Sequence, residues 1–300
     1  MELKTIVLWL TESGYDFSFK GNDSCEISGF ASLGSCEAGK ITWVKKKENY
    51  EKLEDQSGIT IAVVQDGLDL DIPNQIIAGN SKEVFFGILH HFWGTEKKQG
   101  FVGAGTYISP DAEIDPTAYI GYNCSIDGKV KIGANTVIEN NVVIQGNVTI
   151  GERCHVQSQS VIGIDGFGYS KDPISGKKTM IEHFGGVRIG DDVFIASHVN
   201  IARGTMDNTV ISDGVKIAPS THIGHNNFIG ENATIICSMI YGSCKIDKDS
   251  YVTASTIQNQ LTVGEHTVIG MGSVVTKPIP DNVVAFGIPA KVTKENNTDL

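Results

Sequence analysis

Aromatic residues make up only 8% of this 300-residue chain, and its 24 lysines and arginines are outnumbered by 35 acidic residues. The resulting net charge of -11 excludes a nucleic-acid-binding surface, because phosphate contacts need clustered positive charge. A local basic patch could still hold one anionic ligand. No stretch approaches the ~20 apolar residues of a membrane-spanning helix, so no membrane span is expected. The opening MELKTIVLWLTESG has a short apolar core, Ile6 to Leu10, without a small-residue cleavage site, and is not read as a signal peptide. The six cysteines form no Cys-x-x-Cys pair and none of the short intervals of a zinc ribbon or disulfide framework. They are read as reduced thiols of a cytoplasmic protein. A Gly-x-Ser-x-Gly elbow is lacking as well, which leaves a covalent acyl-enzyme with little support.

What the chain does have is a period of six. Ile108, Ile114, Ile120, Ile126, Ile132, Ile138, Ile144, Ile150, Val156 and Ile162 recur at every sixth position. Six is a multiple of the strand period of two and a poor match to 3.6, so these residues share one face of extended chain and would scatter around a helix. Small or turn-forming residues such as Ser109, Asp115, Gly121 and Gly133 follow them, which suits short strands that bend once per hexad. Such repeats predict a parallel β-helix, in which each coil buries its aliphatic residues against the coils above and below.

The period breaks over residues 164–187, resumes at Ile189, is interrupted by RGTMDNT and continues to Val275 with two steps of five. At three hexads per turn this makes about eight coils and roughly 40 Å of height. A loop as long as 164–187 is expected to be functional, since loops over ~12 to 15 residues are uncommon in compact domains.

Residues 1–103 lack the period and read as a small mixed α/β domain. LKTIVLWLTESG predicts a helix ending at Gly14, CEISGFASL and GITIAVV predict strands, and SKEVFFGILHHFW predicts a helix with Ser81 as N-cap. QGFVGAG is the expected linker. The organisation is therefore 1–103 as the α/β domain, 104–280 as the hexapeptide-repeat β-helix, and 281–300 as a short tail.

The order SGFASL, EAGKITWVKKKENYEKL, TIAVV and a late helix resembles the uridine-binding domain of the UDP-3-O-acylglucosamine N-acyltransferases of lipid A (lipopolysaccharide) biosynthesis. IDGFGYS, GGVRIGDDVFIASHVNIARGTMDNTVI and VKIAPSTHIGHNNFIGENA continue that resemblance in order and spacing over nearly the whole chain. It implies a mainly-β fold, a left-handed parallel β-helix of hexapeptide repeats with a small N-terminal α/β domain; the six-residue spacing itself carries no handedness. It also implies a homotrimer with sites between neighbouring prisms. The implied uracil clamp is Trp43 with Tyr50, one residue further apart than in the family and with lysines where the family has an asparagine. A core position is the alternative for Trp43. The implied substrate loop is Gly166, Phe167, Gly168 and Tyr169.

Acyl transfer to an amine needs a base for the amine proton and a donor for the tetrahedral oxyanion. Histidine is the natural base, since it titrates near working pH. His90 and His91 fall in the first domain, and His155, His222 and His266 fall inside regular repeats, where an outward structural role is expected. His225, in HIGHNN, matches the general base of the resembling family, and Gly242 is the closest match to its oxyanion glycine, one residue short of the family interval. The family's second active-site histidine is replaced by Gln260, and its Asp-Asn pair by Ala218-Pro219.

No tightly bound cofactor and no metal are expected; the acyl donor is a co-substrate, either an acyl carrier protein thioester or a coenzyme A thioester. The GIPAK ending, the short polar tail and Gln260 favour acetyl-CoA and a nucleotide-sugar acetyltransferase of surface polysaccharide as the alternative. A β-helical carbonic anhydrase is disfavoured because His222 and His225 are expected to point in different directions. A non-catalytic trimeric scaffold is the remaining alternative.

Overall fold

The computed structural model describes residues 1–95 and 98–296. The chain divides into two compact units, Met1–Lys97 and Lys98–Leu300. The division falls a few residues before the expected linker ends, because Phe101–Val102 already pairs with Tyr119–Ile120 as part of the first coil.

The first unit is a five-stranded sheet in the order Ser18–Lys20, Asn74–Ala78, Ile61–Gln65, Lys40–Val44, Gly29–Phe30, parallel except at the first edge. Ile61 and Val63 point to one core and Ala62 and Val64 to another, the period-two alternation of a strand covered on both faces. Helix Leu3–Glu12 brings Leu3, Ile6 and Leu10 onto the first of these cores, spaced along one helical face, and helix Ser81–Trp93 adds Val84, Phe85 and Ile88. The N-cap of the second helix is Asn80 and not Ser81: Asn80 Oδ1 accepts from the Glu83 N–H at 3.3 Å. Ser81 is buried, with its hydroxyl donating to Gln65 Oε1 at 2.7 Å and accepting from Trp43 Nε1 at 2.9 Å. A side chain bonded inward in this way cannot also cap.

The second unit is the parallel β-helix. Among the described residues its three faces hold nine, eight and eleven strands, most of two or three residues. The hexad residues stack like on like: Ile126 on Ile108 and Ile144, Ile132 on Ile114 and Ile150, Ile138 on Ile120 and Val156. Those from Ile120 onward are buried, whereas Ile108 and Ile114 in the opening coil are only partly so. Between strands the backbone turns through left-handed residues, among them Asn123, Asn135, Asn141, Asn226 and Asn232, a conformation that asparagine tolerates better than most. Buried hydroxyls tie one corner to the next, as Thr136 Oγ1 does by donating to Gly151 O at 2.8 Å and accepting from Cys154 N at 3.0 Å.

The 164–187 loop leaves this stack undisturbed, since Ile150 pairs directly with Ile189 across it. Within the loop Tyr169–Lys171 and Lys178–Met180 form an antiparallel hairpin. Residues expected to be a tail instead continue the sheet: Val283–Phe286 pairs in parallel with Val268–Ile269, and Lys291–Glu295 folds back antiparallel on it. The charged side chains of this last strand suit an open sheet edge, where they discourage strand addition. Among the described residues no helix is long and apolar enough to cross a membrane.

Because Ile144 is fully buried between Ile126 and Ile162, Ile144→Ala should cost about 2–5 kcal/mol. Chemical denaturation measures this; a loss below about 1 kcal/mol would mean that the coils do not unfold as a stacked unit.

Candidate active site

Strand His222–Ile223 turns Ile223 into the core and His222 outward. The corner that follows is pinned by buried Asn227, whose Nδ2 donates to Gly224 O at 2.9 Å and whose Oδ1 accepts from Cys244 N at 2.6 Å. That corner presents His225 beside His222 on the wall of a cleft of about 770 Å³. The two histidines thus line one cleft, contrary to the expectation that they diverge. The 164–187 loop adds Asp165, Gly166, Phe167 and Met180 to the lining, and the neighbouring coils supply Asn200, Tyr241 and Asn259.

Gly242 meets His225 by register. The five-residue step from Ile235 to Ile240 shortens the coil, so Ile223 pairs with Ile240 and the corners after them coincide. A Cβ on Gly242 would stand 2.5 Å from His225 Nε2, so any larger residue would have to displace the ring. The Gly242 N–H makes no hydrogen bond with any of the described residues.

Burial pushes the His225 pKa below the ordinary histidine value, and His183 nearby adds to the effect. Burial does the same for His222, with His225 as the second cause. Both rings are therefore neutral at neutral pH, the form a proton acceptor needs. His222 Nδ1 lies 2.9 Å from Asn200 Oδ1, and His225 Nδ1 lies 3.1 Å from Asn226 Nδ2. Among the described residues no carboxylate bonds either ring.

His183, in the loop, went unremarked in the sequence. It is 3% exposed, and its ring meets that of His225 edge to face at 5.3 Å and 76°. Its position inside the one long break in the period was the available signal. Asn200, Tyr241 and Asn259 were equally unforeseen, because each reaches the cleft only through coil register.

The other expected site residues divide between the cleft and places outside it. Gly166 and Phe167 line the cleft, Phe167 with 79% of its surface exposed. Gly168 accepts the Ile181 N–H at the base of the hairpin, and Tyr169 sits under Lys178 Nζ at 4.5 Å. Gln260 occupies a left-handed corner with its side chain exposed, and Asn259 takes the place in the cleft wall expected for it. Among the described residues no group of three or more His, Cys, Asp or Glu side chains is gathered to hold a metal.

The first unit carries its own cleft, about 470 Å³, walled by Phe30, Trp43 and Phe86, with Lys45, Lys46 and Asn49 at its rim. Trp43 is both wall and core: it stacks on Phe85 at 6.2 Å while its indole N–H bonds Ser81. Tyr50 does not join it. The helical turn Lys47–Glu51 sends the Tyr50 ring into the core beneath Val44 and Val64, 5% exposed, with its hydroxyl donating to Asp71 O at 3.0 Å. Asn49, the preceding residue, faces the cleft instead.

The lowered values of His222 and His225 predict that both titrate below about 6.5 in a proton-detected NMR titration. The folded state then binds fewer protons than the unfolded one, so stability should fall as pH drops from that value through the folded values. Ordinary titration of both rings would show that burial in the cleft is less than the geometry indicates.

Residues 129–163 match the family model "Bacterial transferase hexapeptide (six repeats)". A UDP-3-O-acylglucosamine N-acyltransferase of Coxiella burnetii (strain Dugway 5J108-111) is 31% identical over 284 residues, covering 86% of this chain and 82% of that protein. One from Janthinobacterium sp. (strain Marseille) is 39% identical over 128 residues, 41% of this chain, a match that spans about a third of that protein (35%). Among solved structures, LpxA from Acinetobacter baumannii superposes with a TM-score of 0.58 at 25% identity, covering 63% of this chain and 72% of that one. A stacked hexapeptide helix, a histidine cleft at a coil corner and a relative aligned along most of both chains together place this chain, as a distant member, in the UDP-3-O-acylglucosamine N-acyltransferase family.

Proposed function

We propose that the chain transfers an acyl group from a thioester to the amine of a UDP-linked amino sugar, with His225 as general base. The observation that carries this reading is the pairing, across one coil step, of a half-buried imidazole with the Gly242 N–H, which has no partner among the described residues. The amine nitrogen attacks the thioester carbonyl, and His225 takes the proton the amine sheds. The carbonyl oxygen becomes an oxyanion that accepts from the Gly242 N–H. Collapse breaks the carbon–sulfur bond, and the thiolate leaves with the proton held on His225, giving amide and thiol.

The exposed apolar side chains of Phe167 and Met180 along the cleft favour a longer acyl chain over acetyl, since a longer chain would bury more of their surface. An acyl carrier protein thioester is the donor this reading prefers, with a coenzyme A thioester as the alternative. For the acceptor, the flat face of Trp43 suits a uracil ring and Lys45 and Lys46 suit a diphosphate. Assembly as a homotrimer and action in the cytoplasm complete the proposal.

Incubating UDP-amino sugars with hydroxyacyl carrier protein and with acetyl-CoA, and weighing the products, should reveal an N-acylated sugar formed fastest from the carrier protein. His225→Ala should slow transfer by roughly 10²–10⁴-fold with little change in KM. Transfer within a few-fold of wild type removes His225 from the role of base, and binding of UDP-sugar without turnover from any donor would make the chain a scaffold. Trp43→Ala should weaken UDP binding by about 1–3 kcal/mol, read by calorimetry; unchanged affinity would place the uracil elsewhere.

A further inference from the structure

We propose that His183 is a positioning residue for His225: it is the acceptor that holds the base in its reactive tautomer. The proposal deepens the reading of His225 as base and rests on it, but the ring geometry that motivates it stands alone.

As the rings lie, His225 faces the wrong way for a base. Its Nδ1 is 3.1 Å from Asn226 Nδ2, and that amide is not free to turn, because its Oδ1 accepts the Thr205 N–H at 2.7 Å. An amide NH₂ only donates. Nδ1 must then carry the lone pair and Nε2 the proton, so the nitrogen against Gly242 has nothing with which to accept a proton.

Turning the ring by 180° about Cβ–Cγ exchanges Nδ1 with Cδ2 and Nε2 with Cε1 at almost no change in shape. Nε2 stays against Gly242 in either orientation, since a Cβ there would stand 2.5 Å from Nε2 and 2.7 Å from Cε1. Asn226 Nδ2 keeps a second acceptor in Thr205 Oγ1 at 3.2 Å. The edge that receives Nδ1–H is the one beneath Gly166, where a Cβ would lie 2.7 Å from His225 Cδ2 and 2.9 Å from His183 Nε2.

His183 is already set to receive that proton. Its Nδ1 lies 3.0 Å from Ile181 O, and a carbonyl only accepts, so Nδ1 carries the hydrogen and Nε2 the lone pair. That Nε2 is buried and has no partner among the described residues. Buried polar groups without a partner are rare enough to call for one. With His225 turned, its Nδ1–H meets this lone pair, and its Nε2 becomes the acceptor the chemistry needs. An imidazole then does for His225 what a carboxylate does in a hydrolase triad. Glycine at position 166 leaves room for the two rings to approach each other there.

Long-range ¹H–¹⁵N correlation spectra of the full chain, labelled at histidine and recorded near pH 8 without substrates, test this directly. The wild type should show His225 protonated at Nδ1, and His183→Leu should move the proton to Nε2 and lower kcat by roughly 10- to 100-fold with KM little changed. His183→Gln, whose side-chain oxygen can still accept, should keep the Nδ1–H form and most of kcat. Nε2–H in the wild type, or a tautomer indifferent to His183→Leu, overturns the proposal. The spectra need no acyl donor. The expected tautomers in a chain that transfers nothing would therefore sink the acyltransferase reading while leaving the His183 contact in place.

Discussion

Everything in the second unit depends on inward aliphatic side chains stacking on their counterparts one coil away. Each buried isoleucine contributes about 1.5–3 kcal/mol by leaving water, and the stack is linear, so the contribution repeats with every coil. The same stacking fixes register. Ile126 cannot slip against Ile144 by one residue without turning its side chain outward and leaving the core unfilled. The outward positions inherit that precision at no further cost, which is why short strands and tight corners can hold a chemical site.

The site is built from departures from the repeat that leave the stack intact. The 164–187 loop emerges and returns with Ile150 still on Ile189, brings Gly166 and Phe167 into the cleft wall and sets buried His183 against the His225 ring. The five-residue step before Ile240 shortens one coil and so brings Gly242 against His225. An irregularity that broke the stack would have lost both the support and the register. The first unit uses a different arrangement, a sheet covered on both faces, and its aromatic cleft is made where Trp43 is shared between core and surface.

Much of this was legible in order of physical strength. The hexads declared the β-helix because a period of six can bury one face only in extended chain. His225 and Gly242 were singled out by the resemblance to the acyltransferase family, and the structure brings the two residues together. Tyr50 was misplaced because a single helical turn, Lys47–Glu51, decides which face of the sheet it meets, and a five-residue helix leaves almost no periodic trace. Ser81 was mistaken for a cap because serine serves equally well as a cap or as a buried donor; only its neighbours Trp43 and Gln65 decide. Gln260 was placed in the cleft by analogy of position, and the left-handed corner turns it away in favour of Asn259.

By itself the sequence determined the fold class, the run of coils, the place of the insertion and the residue types able to move a proton. These follow from local rules, hydrophobic period and turn chemistry, that act over a few residues. Only the tertiary structure decided which residues meet: His222 beside His225 in the cleft, Asn200 and Tyr241 from neighbouring coils, Gly242 against the imidazole, and buried His183 from the loop packed on the His225 ring. Those contacts join residues separated by a coil or more, and they are set by stacking register and by the path of one loop, neither of which a short stretch of sequence contains.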